Sequence, residues 1–384
     1  MDITVVGGGL AGLTAAIAGA EAGAAVTLLE AHSTLGGRAR TCDPPYLANE
    51  GPHVLYGDGS AARWLGERDL IPPHHRFPWS ALFGVRVRAG GRMRSTPPPA
   101  LLRAVARRGL RAPHDRDFGS WARERLGERT ARVAANHMGV ALFDHDPSRL
   151  SAEFVWERFQ RVWSPGRPSA LYIVGGWTAL VERLATRARE MGVRIETGAR
   201  VDSLPSDRPV IVATSLASAR SLLGDDSPTW ESGHALLVDL GLRRGRRDPF
   251  AVFDADECGF VERYTRVDRT LAPAGEELVQ AQIPVRPGES RARVTERLER
   301  LLDASLPEWR ARVTWRRDQV AKGRTGALDL PGTTWRDRPA IDRGDGVYLA
   351  GDSVAAPGLL GEVSVASAVR AAAAATGSHA HRHV

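Results

Sequence analysis

The sequence predicts an α/β fold in which a Rossmann-like dinucleotide domain is interrupted by a discontinuous α+β domain. Three observations carry this. VVGGGLAGLTAA, residues 5–16, sets a glycine turn between an apolar strand and a small-residue helix. GVYLAGD, residues 346–352, supplies another strand and glycine turn late in the chain. Between them the strand–turn–helix rhythm gives way twice to a different texture and then resumes.

Ile3 to Val6 read as a short buried strand, and Leu10, Leu13 and Ile17 as the apolar face of the helix that follows. Gly7, Gly9 and Gly12 fit G-x-G-x-x-G. Gly7 permits the tight turn, Gly9 lets a pyrophosphate approach the backbone, and Gly12 lets the helix pack against the sheet. The helix N-terminus offers free N–H groups and a partial positive charge to phosphate. Ala25 to Leu29 form a second strand ending in Glu30. An acidic residue there accepts hydrogen bonds from both ribose hydroxyls, each worth roughly 1.5–3 kcal/mol. It also repels a 2′-phosphate, which favours FAD or NAD over NADP.

LGGRART, residues 35–41, adds two glycines and two arginines just past the second strand, suited to a diphosphate or a flavin edge. With Glu30 and Gly36-Gly37-Arg38, the chain resembles the flavin-dependent amine oxidase, protoporphyrinogen oxidase and phytoene desaturase superfamily. The resemblance covers the nucleotide-domain segments, roughly half of the chain. It implies FAD as cofactor, with Gly37 and Arg38 near the dinucleotide. Gly51, Pro52 and His53, in ANEGPHVLY, match a segment that passes beside the flavin ring. Val201 matches a valine that clamps adenine. Gly351 and Asp352 match the pair that meets the ribityl chain or pyrophosphate. Gly361, Val363 and Ser364 lie where a helix N-terminus faces the pyrimidine edge, with the contacting residue left open. No metal is implied.

Composition bounds the remainder. At 384 residues and 43% hydrophobic content the chain can bury the core of about two domains. No uncharged apolar run is long enough to span a bilayer, and a strand starting at residue 2 or 3 leaves no room for a signal peptide. Cys42 and Cys258 make neither a disulfide framework nor a metal cluster, which points to a reducing cytoplasm. The net charge is +7, and Lys322 is the single lysine among 52 basic residues. Residues 86–116 concentrate arginine, read as a solvated helix face or as a peripheral contact with anionic lipid. No nucleic-acid motif accompanies the charge.

The expected division is 1–75, 171–225 and 326–384 for the FAD-binding domain, and 76–170 with 226–325 for the substrate domain. AEFVWERFQRVW, residues 152–163, places Phe154, Val155, Arg158, Phe159 and Val162 on one helix face, as core or as pocket lining. Leu180, Leu184, Ala188 and Met191 form another stripe, ended by Gly192. The implied activity is dehydrogenation of a mostly apolar small molecule by hydride transfer to flavin N5, with oxygen or a quinone as terminal acceptor. An amine oxidase is the alternative, weakened because HALLVDLGL has no lysine and PGLLGE no aromatic residue. A non-enzymatic FAD or NAD protein is the third reading. His53 is the candidate proton acceptor or a structural histidine, and His234 is a second candidate by position alone. The histidines at 379, 381 and 383 read as a terminal tail.

Overall fold

The structure is a computed structural model that describes residues 1–51, 53–107, 109–163, 169–205 and 209–377. Pro52 and the histidines at 379, 381 and 383 lie outside the described residues.

Strand β1 (Asp2–Val6) sits in the middle of a five-stranded parallel sheet. On one side it pairs with β2 (Ala25–Glu30), which pairs with Arg194–Thr197. On the other it pairs with Val210–Val212, which pairs with Val347–Leu349. Ile3, Val5, Leu28 and Ile211 are fully buried, as expected of a parallel sheet covered on both faces. Helix α1 (Leu10–Glu21) packs against the sheet and against helices Trp177–Glu190 and Gly361–Thr376. Being enclosed on so many sides explains its composition. Ala11, Gly12, Ala15, Ala16 and Gly19 are buried along with Leu13 and Ile17, so small residues set its distance to three neighbours. Leu180, Leu184 and Ala188 form the buried stripe of the second helix, while Met191 lies just beyond its end. Val201 lies in a loop past Arg194–Thr197 rather than on a strand, and packs partly buried against the Val6, Val210 and Leu349 cluster.

A second, seven-stranded sheet has the order 313–327, 232–243, 276–284, 259–263, 251–254, 85–89, 92–94. Its pairings are antiparallel except that between 251–254 and 85–89. Helix Arg291–Ser305 covers one face with Val294, Leu298, Leu301 and Leu302. A helical layer spans residues 99–162, where Phe118, Trp121, Trp156 and Phe159 stack in one aromatic core. A small sheet joins Leu55–Tyr56, Ala170–Ile173 and His74–Arg76.

The basic stretch 86–116 corrects the expectation of a helix face along its length. Its first part forms strands Val85–Ala89 and Arg92–Arg94, and helix occupies only Pro99–Ala106. Val87 is buried between half-exposed arginines, so the alternation is that of a half-buried strand. Arginine on the outermost strand also discourages pairing with another sheet edge.

Glu262, on strand 259–263, is buried where Tyr172 Oη donates to its Oε1 at 2.7 Å. Burial pushes its carboxyl up to about 7. The folded state therefore holds a proton that the unfolded chain releases above its ordinary value of 4.5. The associated stability is complete below 4.5 and is lost as pH rises through about 7. Glu262→Gln should be more stable than the parent at pH 8 and lose that advantage towards pH 4, read by thermal unfolding across pH. A gap that does not change with pH would exclude a buried proton at Glu262.

Candidate functional site

The site begins where β1 leaves the sheet. Gly7 turns with φ +107°, and a Cβ there would lie 2.7 Å from Ala213 O. A Cβ on Gly12 would sit 1.7 Å from Gly7 O, so the first turn of α1 touches the loop backbone. Gly9 caps α1 without any side-chain hydrogen bond, leaving the first N–H groups of the helix open to a ligand. Gly36 N donates to Gly8 O at 2.8 Å and draws the second glycine loop alongside. A Cβ on Gly9 would meet only Gly36 O at 3.8 Å, and one on Gly37 only Gly9 Cα at 3.6 Å. The two loops thus form an open cradle at the helix end.

Glu30, at the end of β2, accepts from Gly8 N at 2.7 Å, from His32 N at 2.8 Å and from His32 Nδ1 at 2.8 Å. Burial alone would raise its pKa, but these donors hold the carboxyl below its ordinary value. The loop carrying Val201 is tied to the same place, since Gly198 N donates to His32 O and Ala199 N to Glu30 O.

Across the cradle, Arg38 and Asp352 form a bidentate pair of 2.6 and 2.9 Å. Arg38 also donates to Arg324 O at 2.5 Å. Burial would raise the Asp352 carboxyl, but Arg38 holds it below the usual carboxylate range, and Asp352 in turn raises the guanidinium. Gly351, just before Asp352, is fixed by its N–H donating to Ser367 Oγ at 2.9 Å. Helix Gly361–Thr376 starts after Leu360, a left-handed residue with φ +51°. Val363 N and Ser364 N donate to Leu360 O, and both side chains are buried. Glu362 caps this turn by accepting from Leu359 N.

Gly51 and His53 join the same region. His53 Nδ1 contacts Gly51 O at 2.6 Å, and the ring meets Trp177 edge-on at 5.3 Å. A carbonyl can only accept, so Nδ1 carries the proton and Nε2 keeps its lone pair. Burial, aided by the Arg38 charge, lowers the His53 pKa and keeps the ring neutral at pH 7. A Cβ on Gly361 would approach Trp177 and Leu10, which brings the late helix, α1 and the His53 loop together. His234, by contrast, lies in register with the exposed Lys322 on the large sheet.

His32, Asn49 and Trp177 escaped the sequence reading. Asn49 Oδ1 accepts from Trp177 N at 3.0 Å, and Trp177 Nε1 is buried without a partner. The only available signal for Trp177 was its place directly after Gly175-Gly176.

Beside Asp352 is a small cleft, partly open to solvent. It lies between helix Ala152–Val162, the strand end at Thr325–Leu328 and the turn Leu359–Val363.

Residues 5–67 match the NAD(P)-binding Rossmann-like domain family, and residues 261–376 match the flavin containing amine oxidoreductase family. With both segments matched, the chain is similar to the flavin amine oxidase-like superfamily. It is an FAD-dependent oxidoreductase. No curated protein matches the sequence. Among solved structures, the superfamily fold recurs in an oxidoreductase from Methanosarcina mazei, 19% identical, with 96% of this chain and 99% of that chain covered and a TM-score of 0.77. Cyclohexylamine oxidase from Brevibacterium oxydans is 16% identical, with 98% of each chain covered and a TM-score of 0.72. A putrescine oxidase variant is 15% identical, with 98% of this chain and 99% of that chain covered and a TM-score of 0.73. The cradle fits the cofactor of this superfamily: the end of α1 is uncapped, the glycine faces are open, and a buried indole N–H lacks an acceptor.

Gly12→Ala must push α1 off the loop, at a cost of about 1–3 kcal/mol or more. Chemical unfolding should show a lower midpoint, and an unchanged midpoint would contradict the packing of α1 on Gly7.

Proposed function

We propose that this flavoenzyme dehydrogenates a small molecule with a largely apolar body, held in the cleft beside Asp352. The observation that carries the reading is the wall composition. Leu142, Leu328, Leu360 and Val363 give the cleft an aliphatic side for an apolar body, facing the charged side chains of Arg158, Arg338 and Asp352. When bound, FAD supplies the acceptor for a hydride from a substrate C–H bond. The chain's task is then to position ligand and proton. We assign the open N-terminus of α1, with Gly7, Gly9, Gly12, Gly36 and Gly37, to the pyrophosphate. Glu30 takes the ribose, and the Val201 loop lies on the adenine side. Arg38 and Asp352 hold the middle of the dinucleotide, and Gly51 and Gly361 border the ring. Glu362, Val363 and Ser364 donate within their own turn, so this segment borders rather than grips the ring.

His53 is proposed as the proton acceptor, since its Nε2 lone pair is available at neutral pH. Its lowered pKa keeps that lone pair available below the ordinary 6.5. An amine substrate is the second reading, favoured by the names of two structural neighbours. Two features count against it here: Lys322 is exposed on the large sheet, and the cleft wall carries the cation of Arg158, which repels a protonated amine.

The purified protein should be yellow and release FAD on denaturation. Under anaerobic conditions its flavin should bleach faster with apolar hydride donors than with primary amines, and faster bleaching by amines would reverse the order of the two readings. His53→Gln should keep FAD but reduce the rate of bleaching, and should abolish the acid limb of its pH profile, which in the parent lies below pH 6.5. An acid limb that survives in His53→Gln would remove His53 from the proton path.

We also infer a peripheral lipid contact, centred on the turn Trp79–Gly84 rather than on a helix of the basic stretch. Trp79, Leu82 and Phe83 are 53%, 45% and 85% exposed, next to the arginine strands 85–89 and 92–94. Exposed aromatics beside arginine suit an anionic bilayer surface. Co-sedimentation with phosphatidylglycerol vesicles should fall with added salt and in Phe83→Ser. Equal binding to neutral phosphatidylcholine vesicles would count against it.

A further inference from the structure

Arginines around the cleft are neutralised with one exception. Arg38 pairs with Asp352. Arg161, one turn from Arg158 on the same helix, pairs with Glu362 through contacts of 2.5 and 2.6 Å. Arg338 pairs with Asp329 through 2.9 and 2.8 Å. Arg158 has no carboxylate within 4.0 Å among the described residues. Asp352 faces the same cleft, but each of its oxygens is engaged by Arg38.

The Arg158 guanidinium is nonetheless held in place. Nη1 donates to Phe154 O at 3.0 Å and Nη2 to Gly358 O at 3.2 Å. Its carbon lies 3.6 Å from the centroid of the Phe154 ring. Nε is buried with no hydrogen-bond partner. A guanidinium carries five N–H donors, so the Nε edge and part of each terminal nitrogen remain available. A half-buried cation without an ion-pair partner, fixed by two backbone carbonyls and with its Nε–H buried unpaired, is costly unless a ligand completes it. Burial lowers its pKa to about 10, which leaves it charged at pH 7.

We propose that Arg158 docks a carboxylate carried by the substrate, so that the cleft takes molecules with an apolar body and one anionic end. This rests on the reading of the cleft as the substrate site and narrows its substrate class. The aliphatic walls receive the body, and the Nε edge of Arg158 receives the carboxylate in a side-on, charge-assisted pair. The carboxylate is a handle and takes no part in bond breaking. Arg158 therefore orients the chain that ends in it and leaves the reacting carbon to the other end of the cleft.

The test uses the FAD-bound protein, with benzoate as probe and benzamide as its neutral counterpart. Benzoate should perturb the flavin spectrum saturably and bind on the order of tenfold or more tightly than benzamide. Arg158→Gln should remove that preference while retaining its FAD and its benzamide affinity. Arg158→Lys should restore part of it, because charge is kept and the planar fork lost. Equal binding of benzoate and benzamide by the parent would overturn the proposal even if Arg158→Gln fails to fold. So would benzoate affinity unchanged in Arg158→Gln. Loss of FAD from a folded Arg158→Gln would also overturn it, because the guanidinium would then serve the cofactor. A parent protein that binds no FAD would instead defeat the underlying reading of the site, whatever the probe does.

Discussion

The Arg38–Asp352 pair is the constraint on which the site depends. It joins two loops 314 residues apart in sequence and closes the cradle above the end of α1. Each partner is useful only because of the other. Asp352 stays ionised in a poorly solvated place because the guanidinium faces it, and Arg38 keeps its direction because both terminal nitrogens are engaged. The third contact, to Arg324 O, ties the pair to the strand returning from the large sheet. One guanidinium thus connects the second glycine loop, the last strand of the large sheet and the turn before the final helix.

The close packing of α1 is the mechanical counterpart of that pair. A helix enclosed by a sheet and two other helices has no polar face to spare, so apart from Thr14 and the terminal Glu21 its sequence is alanine, glycine and aliphatic residues. The benefit is positional. With Gly12 lying on the Gly7 carbonyl, the uncapped helix end is held at a fixed height over the cradle. A bulkier helix would pack just as hydrophobically but would lift its free N–H groups away from the phosphates.

Local signals were legible in the sequence, and pairings across the chain were not. The glycine turn, Glu30 and the stripe of helix 177–190 depend on spacing within a few residues, and each has its element in the structure. The basic stretch misled because arginine density hides a strand's alternation as readily as a helix's. Val87 alone, buried between half-exposed arginines, reveals it. Trp177 and Asn49 carry no motif and become notable only when the His53 loop and a later helix meet. Arg158 was visible on the correct helix face, but its missing counter-ion is a statement about every carboxylate around it. Arg161, three residues on, found Glu362, and nothing in the local sequence separates the two.

The strand order of the parallel sheet has a consequence for biosynthesis. β1, α1 and β2 leave the ribosome first, yet the strand Val347–Leu349 and helix Gly361–Thr376 that complete their surroundings emerge some three hundred residues later. Until then the nascent chain exposes the side of α1 that this helix will cover, a greasy alanine-rich surface with nowhere to go. The part of the cradle that Asp352 and this helix supply is complete only once the last helix has docked.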